Sequence, residues 1–348
     1  MNIPLVFAVL LIASAASAHE PECVHTDHVD KIPVILDHDG GVDDYVAMTL
    51  LMTIPNVDLL GVVVTPADCY VEPAVNVSLK IAQLFTYYSQ RNSSIKTPLS
   101  PSFKISTSRV RPQNPFPNSF REDAFSINLF PIINEHHTNE LFESYRTDED
   151  GTQHMIKMLH ASQEKVTILA IGPLSTIADA LRTDPSIKSK IHQIIWMGGA
   201  LNVPGNVLSV YAYGQDGTAE WNAFWDPSGT DEVWKSGVDI VMTPLDITNN
   251  VPVSAAFIQN LHKNRKYPLY DFIGQCYALV AFREYYFWDL LTASYLGNKN
   301  LFTLKEHETV IVTRGSSQGR TKVQEGGIKV KALDTVNLPE LQQYLFEQ

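Results

Sequence analysis

Cysteine is scarce in this 348-residue chain, with Cys23, Cys69 and Cys276 as the complete set. An odd trio closes at most one intramolecular bridge, so disulfides are not the scaffold, and Cys69 reads as a buried structural thiol. Positive charge is also short: 26 Lys and Arg stand against 38 Asp and Glu, a formal net charge of -12. That balance excludes a general nucleic-acid binder, which needs a surplus of cations along the phosphates, and suits a small neutral substrate or a cation. Beyond the first residues no apolar run is long enough to cross a membrane, and there is no internal repeat or low-complexity tract.

What is present is an ordinary globular composition, 45% hydrophobic and 18% charged, with enough chain for one large domain or two ordinary ones. Residues 1–18 carry the apolar stretch Leu5 to Ile12 and end in Ala16-Ser17-Ala18, the pattern of a cleaved secretory signal that leaves a polar leader over 19–31. The expected location is therefore extracellular. The sequons Asn76-Val77-Ser78 and Asn92-Ser93-Ser94 are compatible with that route.

From residue 32 onward strands and helices alternate. Apolar runs at Ile32 to Leu36, Val57 to Val64, Val166 to Ile171, Gln193 to Met197 and Ile240 to Met242 read as buried strands. Helical patterns fall at Asp43 to Met52, Glu72 to Phe85 and Ser175 to Arg182. This predicts an α/β fold in a single domain over 32–348, with an open, mostly parallel central sheet flanked by helices and its site at the strands' carboxyl ends. Between Pro98 and Asp150 the pattern lapses into Pro, Asn, Ser and acidic residues, which reads as a long surface excursion, either a lid or a plain insertion.

Directly after the first strand comes Asp37-His38-Asp39-Gly40-Gly41-Val42-Asp43-Asp44. Four carboxylates in eight residues repel one another unless a cation neutralises them, and the apolar run before them pulls the loop into the core rather than leaving it as a solvated turn. Hard oxygen donors, with His38 as the lone nitrogen and no thiol in the cluster, favour calcium or magnesium over zinc. An EF-hand is excluded, because Val42 and Met48 stand where that loop needs Gly and Glu. A haloacid-dehalogenase-like phosphatase, with Asp37 as nucleophile and Asp39 as acid, stays open at this point, although Gly41 stands where its motif has Thr.

Further motifs narrow the choice. Thr65-Pro66-Ala67-Asp68, Gly172-Pro173-Leu174-Ser175, Met197-Gly198-Gly199-Ala200, Gly205-Asn206, Asp216 through Asn222 and Trp288-Asp289 follow in order. Together with the acidic cluster they resemble the inosine-uridine-preferring nucleoside hydrolases from about Pro33 to the C-terminus, most closely the purine-preferring branch. His38 and Gly40 match that branch, and Gly41 replaces an Asn it often carries.

The resemblance implies a Rossmann-like nucleoside hydrolase fold and hydrolysis of purine ribonucleosides such as inosine, guanosine or adenosine to base and ribose. It implies one calcium ion held by Asp37, Asp44, Asp289 and the main-chain carbonyl of Ile171, with Asp39 as the general base on the attacking water. Asp43, Asn206, Glu220 and Asn222 would hold the ribose hydroxyls, which predicts rejection of 2'-deoxyribose. Asp68, Phe120 and Trp288 would meet the base. Pyrimidine-tolerant relatives carry His in the place of Trp288, and the relatives' second stacking Trp corresponds to Phe120, with Ser119 in place of an acidic neighbour. Tyr285 reads as core packing, with a supporting wall of the base pocket as its other possible role. Relatives form dimers or tetramers, so a homo-oligomer is expected. A non-catalytic nucleoside-binding protein of the same fold is the remaining alternative, and retention of Asp39 argues against it.

Overall fold

The computed structural model describes residues 31–91, 99–136, 138–266 and 268–348. The proposed signal and leader, Cys23 and the Asn92 sequon lie outside the described residues.

Among these residues ten strands form one sheet in the order β4-β3-β2-β1-β5-β6-β7-β10-β8-β9. Their ranges are β1 Ile32–His38, β2 Val57–Val64, β3 Lys104–Thr107, β4 Arg146–Asp150, β5 Val166–Ala170, β6 Ile191–Met197, β7 Ile240–Thr243, β8 Phe302–Ile311, β9 Thr321–Val323 and β10 Ile328–Val336. All pairings from β4 through β7 to β10 are parallel. The pairings of β8 with β10 and with β9 are antiparallel. Val34 and Leu36 are fully buried on one face of β1 and Ile35 on the other, the signature of a strand with helices on both faces. They belong to two different apolar layers, one beneath the helix α1, Val42–Thr53, and one on the opposite side.

β1 sits between β2 and β5, and its exit is where the connections part to opposite sides, the position at which open parallel sheets build their sites. Ile171 N–H donates to Asp37 O at 2.8 Å and Thr65 N–H to His38 O at 2.7 Å, so the loops leaving three neighbouring strands are tied together there.

Two expectations are corrected. The segment 98–150 is not a surface excursion: it contributes β3 and β4 together with four short helices, and Phe103, Ile105, Ile127, Ile133 and Phe142 bury themselves in the core. These buried residues share one apolar layer with the inner face of α2, Val71–Ser89. The Asn76 sequon lies within α2, where Ser78 is fully buried and the half-buried Asn76 amide oxygen accepts from Arg146 at 3.1 Å, an arrangement a glycan would displace. Cys69 and Cys276 are buried free thiols, as the scarcity of partners implied for Cys69.

Candidate active site

A cleft of about 190 Å³ opens over the carboxyl ends of β1, β5 and β6. Its floor comes from two helix starts and one loop. β1 ends at His38, and Gly40, in a left-handed conformation (φ 80°), turns the chain into α1. Any Cβ at Gly40 would stand 2.7 Å from Cys69 Cβ, so the turn needs glycine twice over. Asp43 and Asp44 fall in the first turn of α1, and Asp289 in the first turn of the helix Trp288–Gly297. Helix N-termini favour negative charge, and two of them converge on one spot.

The carboxylates knit together through the main chain. Asp39 N–H donates to Asp44 Oδ1 at 2.9 Å, Asp289 N–H to Asp43 Oδ2 at 3.3 Å, and Asp68 N–H to Asp39 Oδ2 at 3.2 Å. Carboxylate oxygens of Asp43, Asp44 and Asp289 all lie within 4.8 Å of one another. Burial, followed by the charge of Asp44, pushes Asp39 well above the ordinary carboxylate range, and burial with the charge of Asp43 does the same to Asp289. Asp43 is pushed up to about 6, with burial first among the causes. Such a group of hard oxygens, buried and mutually repelling, fits a divalent cation of the calcium type.

Asp37 lies outside this group of three and does not line the cleft, and its Oδ2 is buried with no hydrogen-bond partner. It still lies inside β1, paired with both β2 and β5, and its carboxylate turns into the layer beneath the loop. There Thr65 Oγ1 donates to Asp37 Oδ1 at 2.8 Å and the string continues through Thr176 to Ser108. Burial pushes Asp37 up to about 8. Asp39, the first carboxylate beyond the strand, faces the cleft in its stead. The phosphatase reading fails at the same position, because its nucleophile would be Asp37.

The other residues implied by the resemblance line the same cleft: Ile171, Asn206, Glu220, Asn222, Asp68, Phe120 and Trp288. Asn222 Nδ2 donates to Met197 O at 3.1 Å and reaches Ile171 O at 3.5 Å, bridging β5 and β6. Glu220 caps the short helix Trp221–Trp225 and accepts from Gly199 N–H at 2.9 Å. Asn206 Oδ1 accepts from Trp221 N–H at 3.2 Å. Gly41 opens room for a neighbour: a Cβ there would lie 2.8 Å from Asp44 Oδ2 and 2.9 Å from Asp68 Oδ2, so Asp68 closes in where a larger residue would project.

Of the two roles open for Tyr285 the structure shows the wall, and further wall residues went unread. Tyr285 is no mere packing group, since its hydroxyl donates to Asp43 Oδ1 at 2.6 Å while its ring meets Trp288 edge-on at 4.7 Å. Trp221, passed over between Glu220 and Asn222, joins Phe116 and Phe120 in a second aromatic group, with centroids at 5.1 and 5.8 Å. Asp123, Arg283 and Glu284 also line the cleft. The dense run Phe282 to Trp288 was the available signal.

A support from the C-terminal hairpin was equally unread. The fully buried Thr321 hydroxyl accepts from Ala200 N–H and donates to Ala200 O, both at 2.9 Å, fixing the turn whose Gly199 holds Glu220. Thr321→Val keeps the shape and strands both main-chain groups, so urea unfolding should show a loss of about 2 kcal/mol, largely restored in Thr321→Ser.

An open, mostly parallel sheet carrying buried acidic residues at its switch point, with aromatic walls above them, suits a cation and a flat small ligand. The sequence profile described as inosine-uridine preferring nucleoside hydrolase matches residues 34–343, and the chain belongs to that family. Its structure is similar to that of an inosine-uridine preferring nucleoside hydrolase from Bacillus anthracis, at 37% identity and a TM-score of 0.82, covering 91% of this chain and 98% of that one. A purine-preferring ribonucleoside hydrolase from Gardnerella vaginalis shares the fold at 21% identity and a TM-score of 0.67, covering 90% and 96%. In sequence the chain is 27% identical over 315 residues to the pyrimidine-specific ribonucleoside hydrolase RihB of Escherichia coli, with 88% of this chain and 92% of that protein covered.

Proposed function

We propose that this nucleoside hydrolase is a calcium-dependent purine ribonucleosidase that releases free base and ribose from inosine, guanosine or adenosine. The observation that carries it is the joint placement, in one cleft, of the Asp39 carboxylate, the Asp43, Asp44 and Asp289 group, and the indole of Trp288. Asp39, Asp44, Asp289 and the Ile171 carbonyl would hold the cation, which when bound lowers the pKa of water and offsets the carboxylates' repulsion.

Asp39 takes the proton from water as its oxygen bonds to the anomeric carbon. Asp39 faces the cleft beside the other proposed ligands, and a carboxylate of ordinary basicity can take a proton from water that a bound cation would acidify. Asp43, already oriented by Tyr285, and Asn222 hold ribose hydroxyls, with Asn206 and Glu220 on the same wall. Buried groups that demand hydroxyl partners reject sugars lacking them. The aromatic residues supply flat contact for the base.

The test is a nucleoside panel assayed for reducing sugar and free base, with and without a calcium chelator. Release of ribose from purine ribonucleosides, lost on chelation, is expected; no release from any of them overturns the reading and leaves the non-catalytic alternative. Uridine belongs in the panel, since relatives described as inosine-uridine preferring and as pyrimidine-specific favour a broader reading that includes pyrimidines. Trp288→Ala separates the two further: it should cost inosine about 10-fold more turnover than a 4-nitrophenyl riboside, whose leaving group needs no activation, and equal losses would reduce the indole to a binding surface. We further propose secretion, on the apolar run and small-residue end of residues 1–18.

A further inference from the structure

Departure of the base is the step for which the acidic floor offers no help. When the glycosidic bond breaks, its electron pair goes to the base, and negative charge spreads over the ring nitrogens and any exocyclic oxygen. The described residues lining the cleft include eight carboxylates, from Asp39, Asp43, Asp44, Asp68, Asp123, Glu220, Glu284 and Asp289, and a single cation, Arg283. Left unopposed, that field would repel the departing anion.

Arg283 stands at the aromatic end of the cleft. It follows the helix Leu269–Val280, its N–H bonded to Val280 O at 3.1 Å, and its guanidinium lies 5.7 Å from the ring of Tyr285, which in turn meets Trp288. The guanidinium pairs with Asp123, which begins the short helix just beyond Phe120, so the two partners come from the two segments that supply the aromatic walls. Asp123 engages one arm of a five-donor fork and leaves others for a ligand. The pair is partly exposed, 31% for Arg283 and 22% for Asp123, so the guanidinium is reachable from the cleft.

We propose that Arg283, oriented by Asp123, is the residue that stabilises the leaving nucleobase. This rests on the nucleosidase reading. The water oxygen bonds to the anomeric carbon, one water proton passes to Asp39 and on to solvent, and the bond pair leaves on the base. Arg283 holds that charge through hydrogen bonds to ring or exocyclic acceptors without giving up a proton, since guanidinium stays charged. The base then takes a proton from solvent, and the balance closes as nucleoside plus water to ribose plus neutral base.

The test compares wild type with Arg283→Gln, Arg283→Lys and Asp123→Asn on inosine, uridine and 4-nitrophenyl riboside, with thermal melts confirming folded protein. Donors aimed at developing charge are typically worth about 10²- to 10³-fold, so Arg283→Gln should lower kcat on the accepted nucleoside by about 100-fold, and on the nitrophenyl riboside by under about 5-fold. Arg283→Lys should recover a part of the loss, and Asp123→Asn should fall between it and wild type. Equal losses on both substrate types, or no loss on the nucleoside, overturn the proposal while leaving the nucleosidase reading intact. A wild type that cleaves the nitrophenyl riboside and no nucleoside overturns both.

Discussion

Asp39→Asn should lower turnover of the best purine nucleoside by at least about 10³-fold with no loss of fold, measured as ribose released per enzyme. General-base catalysis alone contributes about 10²- to 10⁴-fold, and an amide takes no proton from water. Asn matches Asp in shape and still accepts from Asp68 N–H, so the loop geometry survives. It also lowers the charge facing the cation, which adds to the loss. A variant retaining a tenth of wild-type turnover would remove Asp39 from the role of base. Asp37→Asn makes the companion measurement: with its carboxylate on Thr65 rather than in the cleft, it should spare far more activity than Asp39→Asn.

Removal of the cation should lower the melting temperature and abolish turnover together. At a cation concentration of about 1,000 times its dissociation constant, binding to the folded state alone stabilises by about 4 kcal/mol, which chelation takes away. The stripped protein should then show a pH dependence of definite sign. Asp43 and Asp37 are pushed up to about 6 and about 8, chiefly by burial, so between the unfolded carboxylate range and those values the folded state binds more protons than the unfolded. Stability therefore falls as pH rises from about 4 to about 8. Scanning calorimetry of cation-stripped protein should give a higher melting temperature at pH 5.5 than at pH 8, and saturating calcium should raise the pH 8 value most. A melting temperature indifferent to stripping would count against a resident cation.

The strands legible in the sequence are those buried on both faces. Val57 to Val64 was delimited to the residue, and β5, β6 and β7 within two residues, because continuous apolar runs have few alternatives in a chain with this alternation. β4, Arg-Thr-Asp-Glu-Asp, escaped because an edge strand needs no apolar face. β8 and β10 escaped because their outer faces carry Lys and Glu, and no connecting helix marks them. At the site, positions adjoining a strand end or helix start were readable from motif spacing. Trp221 and Arg283 were not, and Tyr285 only as a possible wall without its bond to Asp43, since their roles depend on how distant loops fold back. A single residue, His38, separates Asp37 from Asp39, and across it the chain passes from the strand interior to the buried loop that faces the cleft.

The bond from Asp289 N–H to Asp43 spans 246 positions of chain. Synthesis delivers the first carboxylates early and the last of the group only when most of the protein exists, and the Thr321 brace follows later still. A nascent chain halted before residue 289 therefore lacks one of the four proposed ligands, and full affinity for the proposed ion would arrive late. Cation uptake can thus serve as a clock for completion of folding, read from when a ribosome-bound chain of increasing length first gains protection from protease on adding calcium.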